Sequence, residues 1–213
     1  MTSLMKKMLL TGFEPFNGAV ENPSQDVVRA LAGAIIAGHE VVGAVLPCVF
    51  KESIRALRKE MKRCEPTVVI CLGVAGGRRG ITPERVAINV DDARIADNAG
   101  AQVIDRPIVC GGPVAYWSTL PVKAIVQRLA EAKIPGGVSQ SAGTFLCNHV
   151  FYGLMHALRG QTAVRGGFIH VPWATGQGTP HLRRTRIIEG VRLAVEVSLT
   201  QRGDLRVSGG AER

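Results

Sequence analysis

The chain has 213 residues, of which 46% are hydrophobic and 20% charged, a make-up that suits one compact globular domain burying roughly 70% of its unfolded surface. Its formal charge of +9 is spread along the sequence, with one dense group at Arg183, Arg184 and Arg186, and aromatic residues are only 5%; stacking platforms are scarce, which argues against a nucleic-acid partner. The longest apolar runs, such as Val68 to Gly73 and Val41 to Leu46, fall far short of the ~20 residues a membrane helix needs. Lys6 and Lys7 precede only Met8, Leu9 and Leu10 before Thr11-Gly12, shorter than the ~7–15-residue apolar stretch of a secretory signal, so a cytoplasmic protein without a membrane partner is expected.

Along the chain, Met8 to Thr11 reads as a first strand that delivers the turn-rich Gly12-Phe13-Glu14-Pro15-Phe16-Asn17-Gly18 to one edge of a sheet. Asn22-Pro23 supplies an N-cap and an N1 proline for a helix in which Val27, Val28, Leu31 and Ile35 recur at helical spacing, ending near Gly38. Val41 to Leu46 reads as a strand, Lys51 to Arg63 as an amphipathic helix, and Thr67 to Leu72 as a strand buried on both faces. Gly73 to Pro113 is rich in Gly, Asp and Asn and should be mostly loop and hairpin, with one alternating segment from Arg85 to Val90. Helices follow at Leu120 to Ala130 and within Ala142 to Leu158, then an apolar strand at Gly167 to Val171, and Thr179-Pro180 looks like a second cap-plus-proline start for a long last helix. Alternating strands and helices imply a three-layer α/β/α sandwich around a mostly parallel mixed sheet, a single domain over residues 1–213, with 1–7 and 201–213 expected to pack little and to be mobile.

The five cysteines, Cys48, Cys64, Cys71, Cys110 and Cys147, form no CxxC pair, and no His approaches zinc-ligand spacing, so reduced thiols without a metal are expected. Four of them read as small buried hydrophobes. Cys147 differs, because Ser141-Ala142-Gly143-Thr144-Phe145-Leu146-Cys147-Asn148 is a turn of small residues running into a helix. With Thr144 as N-cap, Cys147 falls at N3, where the helix dipole favours a thiolate and free backbone N–H groups point at a nascent oxyanion. A structural thiol facing the sheet is the competing reading. Among the histidines, His149 and His156 share the helix of Cys147 at spacings that direct them elsewhere, His39 looks like a surface residue, His170 ends an apolar strand at the sheet edge where α/β ligand sites form, and His181 is the reserve. A core histidine bonded to backbone competes for His170. Glu84 stands among apolar residues and needs a partner, with neighbouring Arg85 facing away if the segment is a strand.

Ile81-Thr82-Pro83-Glu84-Arg85-Val86-Ala87-Ile88-Asn89, the Ser141 to Asn148 segment and Gly12-Phe13-Glu14-Pro15-Phe16 together closely resemble pyroglutamyl peptidase I, also called pyrrolidone-carboxylate peptidase, from about Met8 to Leu199. The resemblance implies an α/β/α sandwich that removes pyroglutamate from peptide N-termini through a catalytic triad of Cys147, His170 and Glu84. It implies Arg94 and the Cys147 backbone amide at the oxyanion, and Phe13, Phe16, Ile95, Phe145 and Leu146 around the lactam ring. It further implies a cytosolic homo-oligomer, tetramer or dimer, without metal or cofactor. Cys48 stands where many relatives have Thr, and Val74 where some have Gln. The alternative from another class is a phosphorylase-like transferase whose Gly73 to Gly80 loop, with its arginines, binds phosphate.

Overall fold

A computed structural model describes residues 5–210. In chain order the elements are β1 (Lys6–Phe13), α1 (Pro23–Leu31), β2 (Ile35–Ile36), β3 (His39–Leu46), α2 (Glu52–Cys64), β4 (Val68–Val74), β5 (Thr82–Pro83), β6 (Val86–Ile88), β7 (Ala115–Trp117), α3 (Val122–Glu131), α4 (Leu146–Ala157), β8 (Arg165–Val171), β9 (Trp173–Ala174), β10 (His181–Leu182) and α5 (Arg184–Thr200). The main sheet runs β2-β3-β1-β4-β8-β5. Its four inner strands are parallel, and the short edge strands β2 and β5 are antiparallel to their neighbours. This is the expected α/β/α architecture with a mostly parallel mixed sheet.

Strand alternation explains the layers. Met8 and Leu10 of β1, Val68, Ile70 and Leu72 of β4, and Ile169 and Val171 of β8 face one side, where α1, α3 and α5 close over them with Val27, Ile125, Leu129, Ile187 and Val191. Leu9 and Phe13, Val69 and Cys71, and Phe168 face the other, under Leu57 of α2 and Val150, Phe151 and Leu154 of α4. Each fully buried Val, Leu, Ile or Phe is worth about 1.5–3 kcal/mol, and a one-residue slip would exchange the two sets of side chains, so the register is strongly specified. His170 shares the parity of Phe168 and therefore belongs to the face that α4 covers.

Four expectations are corrected. Ile35 is not helical: α1 stops at Leu31, Gly33 takes φ +79°, and Ile35–Ile36 pair antiparallel with His39–Glu40. Thr179-Pro180 does not start the last helix. His181 and Leu182 pair with Trp173 and Ala174 instead, and α5 begins at Arg184. Cys110 is exposed, whereas Cys48, Cys64 and Cys71 are buried. The segments expected to pack little do make contacts within the described residues. Lys6 and Lys7 open β1 opposite His39 and Glu40, Asp204 accepts bonds from the Lys123 and Ala124 amides at the start of α3, and Gly209 accepts one from Arg85. Residues 1–4 and 211–213 lie outside the described residues. The Asn22-Pro23 start of α1 is as expected, the Asn22 side chain accepting from the Ser24 amide.

Candidate active site

The C-terminal edge of the parallel strands, where open α/β sheets hold their ligands, brings three segments together. His170 arrives on β8, opposite Gly73 of β4 and Thr82 of β5. Glu84 follows β5, and its amide donates to the Phe168 carbonyl at 2.9 Å, which keeps it in register with β8 and on the face of His170. The carboxylate is fully buried, and its Oε1 lies 2.7 Å from His170 Nδ1. With Nδ1–H donating to the carboxylate, Nε2 is left as the free acceptor of the ring. Burial holds the imidazole below its ordinary pKa; the bond and charge of Glu84 oppose this, and Arg78 adds a smaller downward push.

Cys147 enters from α4. A Cβ added to Gly73 would meet Cys147 Sγ at 2.7 Å, so the sulfur rests against the strand position that pairs with His170. Among the described residues the imidazole bonds Glu84, and no hydrogen bond joins it to Sγ, a looseness common in unliganded sites that tighten around substrate. Thr144 is not the N-cap of α4. Its hydroxyl donates to the Asp92 carbonyl, the cap position is Phe145, and Cys147 therefore sits at N2. No side chain caps this helix, and its first intrahelical bond runs from the His149 amide to Phe145, so the amides of Leu146, Cys147 and Asn148 lack helical acceptors. Asn148, fully buried, secures the turn against its neighbours by accepting from the Ile88 amide and donating to the Ile88 and Val90 carbonyls.

The dipole of α4 does not prevail over burial. The Cys147 thiol is pushed up to about 12 by desolvation first and by Glu84 second, with Arg78 pulling the other way. A raised thiol beside a lowered imidazole makes the resting pair neutral. Such a pair suits proton transfer during attack rather than a standing thiolate.

An open cleft of about 800 Å³ adjoins this edge, lined by Phe16, Arg94, Ile95, Val74, Gly76 and Trp173 among others. Arg94 is exposed and, among the described residues, bonds no protein group. Phe13 and Leu146 are buried in the core face under α4 rather than lining the open cleft, and Phe145 bridges the two, 6.2 Å from the Phe16 ring centroid and 5.5 Å from that of Phe50. Cys48 is buried in the same cluster. Its thiol is raised by burial first, with Cys147 the next contributor.

His149 has a use that spacing did not reveal. Its Nδ1 bonds Asp91 at 2.8 Å and its Nε2 accepts from the Lys51 amide at 2.9 Å, which ties α4 to the β3–α2 turn and to the loop that carries Arg94 and Ile95. His181 bonds the Gly178 carbonyl, His39 the Ala37 carbonyl and His156 the Tyr116 hydroxyl, so none serves Cys147. The Gly73 to Gly80 stretch is not an open anion cradle. Gly76 lies under the Trp173 ring, Gly80 abuts the Pro135 carbonyl, and Arg78 is engaged by Glu84, Thr82 and Ser141.

A buried carboxylate–imidazole pair and a helix-borne thiol, met at the C-terminal edge of a doubly covered parallel sheet, define an α/β enzyme. The family model described as "Pyroglutamyl peptidase" matches residues 6–201. Pyrrolidone-carboxylate peptidase from Klebsiella pneumoniae is 52% identical over 212 residues, covering 97% of this chain and 99% of that one. The crystal structure of pyroglutamyl peptidase I from Bacillus amyloliquefaciens superposes with a TM-score of 0.91 at 44% identity, covering 94% of this chain and 100% of that one. Pyrrolidone carboxyl peptidase from Pyrococcus furiosus gives 0.87 at 41% identity over 91% and 98%. The chain belongs to the pyroglutamyl peptidase family, an enzyme family of peptidases.

Proposed function

We propose that the chain hydrolyses the amide bond after an N-terminal pyroglutamyl residue, with Cys147 as nucleophile, His170 as general base and acid, and Glu84 as the orienting acid. The observation that carries this reading is the 2.7 Å bond between Glu84 and His170 Nδ1, on the sheet face that α4 and Cys147 cover. It fixes the tautomer that leaves Nε2 ready to accept a proton. Nε2 takes the thiol proton as Sγ attacks the pyroglutamyl carbonyl. The unpaired amides at the start of α4, with Arg94, meet the developing oxyanion. The imidazolium then protonates the departing amine, leaving a thioester on Cys147. Water, deprotonated by Nε2, attacks the thioester, and pyroglutamate leaves as the proton returns to sulfur.

The lactam ring fits a pocket of Phe13, Phe16, Ile95, Phe145 and Leu146, of which Phe16 and Ile95 reach the open cleft. A pyroglutamyl end has no ammonium, so apolar walls suffice, while a charged N-terminus would enter unpaired. Peptides bearing N-terminal pyroglutamate are therefore the substrates, and the setting is a cytoplasmic enzyme working as a tetramer or dimer. Among the described residues no helix is long and apolar enough to cross a membrane. The engagement of Arg78 and the packing of Gly80 against the Pro135 carbonyl weigh against the phosphorylase-like alternative.

The test compares kcat/KM for matched pyroglutamyl, prolyl and glutaminyl amides, with and without iodoacetamide, in the native chain and Cys147→Ala. Pyroglutamyl cleavage should dominate by roughly 10⁴-fold, because backbone groups that would pair with the lactam N–H and C=O are left unpaired by a prolyl ring. Full activity in Cys147→Ala, or prolyl cleavage within about tenfold of pyroglutamyl, would refute it.

A further inference from the structure

We propose that Arg78 is a positioning residue of this site. Its guanidinium pairs with Glu84 and holds it toward His170 while tying that carboxylate to the turn that launches the helix of Cys147. The inference rests on the triad reading above. Its basis is a set of contacts shared by one side chain. Arg78 Nη1 lies 2.7 Å from Glu84 Oε1 and 2.5 Å from Thr82 Oγ1, and Nη2 donates to the Ser141 carbonyl at 3.1 Å. The same Oε1 receives His170 Nδ1, and Oε2, also buried, has no partner among the described residues. One oxygen thus serves both the imidazole and the guanidinium.

A carboxylate with no exposed surface is costly to ionise unless it is paired. Neutral His170 offers Glu84 a hydrogen bond but no counter-charge, so Arg78 is the cation that makes the buried anion tenable. Without it, the charge of the carboxylate would bear on the imidazole unopposed and draw a proton onto it, which removes the free base. The titratable groups that bear on His170 are Glu84 beside β5, Arg78 from the Gly-rich loop and Cys147 from α4. Arg78 acts in the same sense on both members of the proposed proton transfer, lowering imidazole and thiol alike, against larger effects of burial. The bond to Ser141 adds a mechanical link. Ser141 opens the turn through Gly143 that leads into α4, so the acid and the nucleophile are referenced to one rigid, planar group. Arg79, the next residue, is exposed and shares none of these partners, which makes it the control.

The experiment measures kcat/KM against pH for the native chain, Arg78→Gln, Arg78→Lys and Arg79→Gln. In parallel, iodoacetamide labelling of Cys147 is followed against pH by mass spectrometry, a readout independent of peptidase activity. Arg78→Gln should lower kcat/KM at neutral pH by about 10–100-fold, mainly in kcat, since small misplacements of reacting groups have effects of that size. Its acid limb and its thiol inflection should both move to higher pH. Arg78→Lys should return the two inflections toward native values and keep part of the rate deficit, because an ammonium restores charge without the fork. Arg79→Gln should match the native chain. Unmoved inflections in Arg78→Gln, or equal effects from Arg79→Gln, would overturn the proposal. If Arg78→Gln does not fold, Arg78→Lys decides: a rate within about threefold of native overturns the role of the fork. A native chain inactive on pyroglutamyl amides would remove the triad reading, and the labelling inflection would still judge whether Arg78 governs the thiol.

Discussion

Gly73→Ala places a single methyl group at the contact between β4 and the Cys147 thiol, and the structure sets its cost. The new Cβ would stand 2.7 Å from Cys147 Sγ and 2.8 Å from Phe168 Cζ. Phe168 is fully buried, 6.0 Å from Phe151 in ring centroids, and has little room to retreat. The thiol at the start of α4 is the more movable partner and must shift by about 0.7 Å to reach ordinary van der Waals separation. Overpacking of this kind costs about 1–3 kcal/mol in stability, a drop of roughly 2–12 °C in Tm for a chain of this size. A sulfur displaced by most of an ångström should lose up to about 10²-fold in kcat. The assay is steady-state hydrolysis of a pyroglutamyl amide, with thermal unfolding on the same preparation. A folded variant with kcat within about threefold of native would show that Sγ against Gly73 is not the reactive position.

Other outcomes follow from the same geometry. His170→Ala should lose nearly all activity. Glu84→Gln should keep a measurable fraction, because an amide oxygen still accepts from Nδ1; equal and negligible effects on kcat/KM would remove both residues from the site. Burial lowers His170, so the neutral base persists to more acidic pH than for a free imidazole, and the acid limb of kcat/KM should fall below about 6.5; a limb at or above that value would contradict it. Asn148→Ala strands the part-buried Ile88 amide and Val90 carbonyl, while the Ile88 carbonyl keeps the Val90 amide; the cost is about 1–3 kcal/mol, and a Tm lowered by less than roughly 2 °C would be too small for that loss.

The apolar runs at β1, β4 and β8 were legible because strands covered on both faces are hydrophobic along most of their length, and His170 was legible as the end of one of them. Cys147 stood out as the one cysteine at a helix start, and Glu84 as a carboxylate among apolar residues. The misreadings came from local signals overruled at long range. Leu31 and Ile35 fit one helical face, yet the chain turns at Gly33 so that Ile36 can be buried beside β3. Thr179-Pro180 carries a capping signature, but pairing of His181–Leu182 with Trp173–Ala174 takes the segment instead. Arg78 looked like a phosphate ligand because its glycine neighbours are visible in the sequence, whereas its bond to Ser141 spans 63 positions. His149 was set aside by helical geometry, which excludes it correctly as a base for Cys147 but says nothing of Asp91, 58 positions away.

The bare N-terminus of α4 trades a cap for an aromatic contact. Placing Ser or Asp at position 145 would supply the missing cap, worth about 1 kcal/mol, but would take the Phe145 ring away from Phe16 and Phe50, aromatic pairs worth about 0.5–1.5 kcal/mol each. The acceptor so introduced would occupy the very amides that an oxyanion needs, and Asp would bring a full negative charge to the spot. A cap at this position would thus return little to the fold while filling those amides, and Phe145 leaves them open through its packing instead.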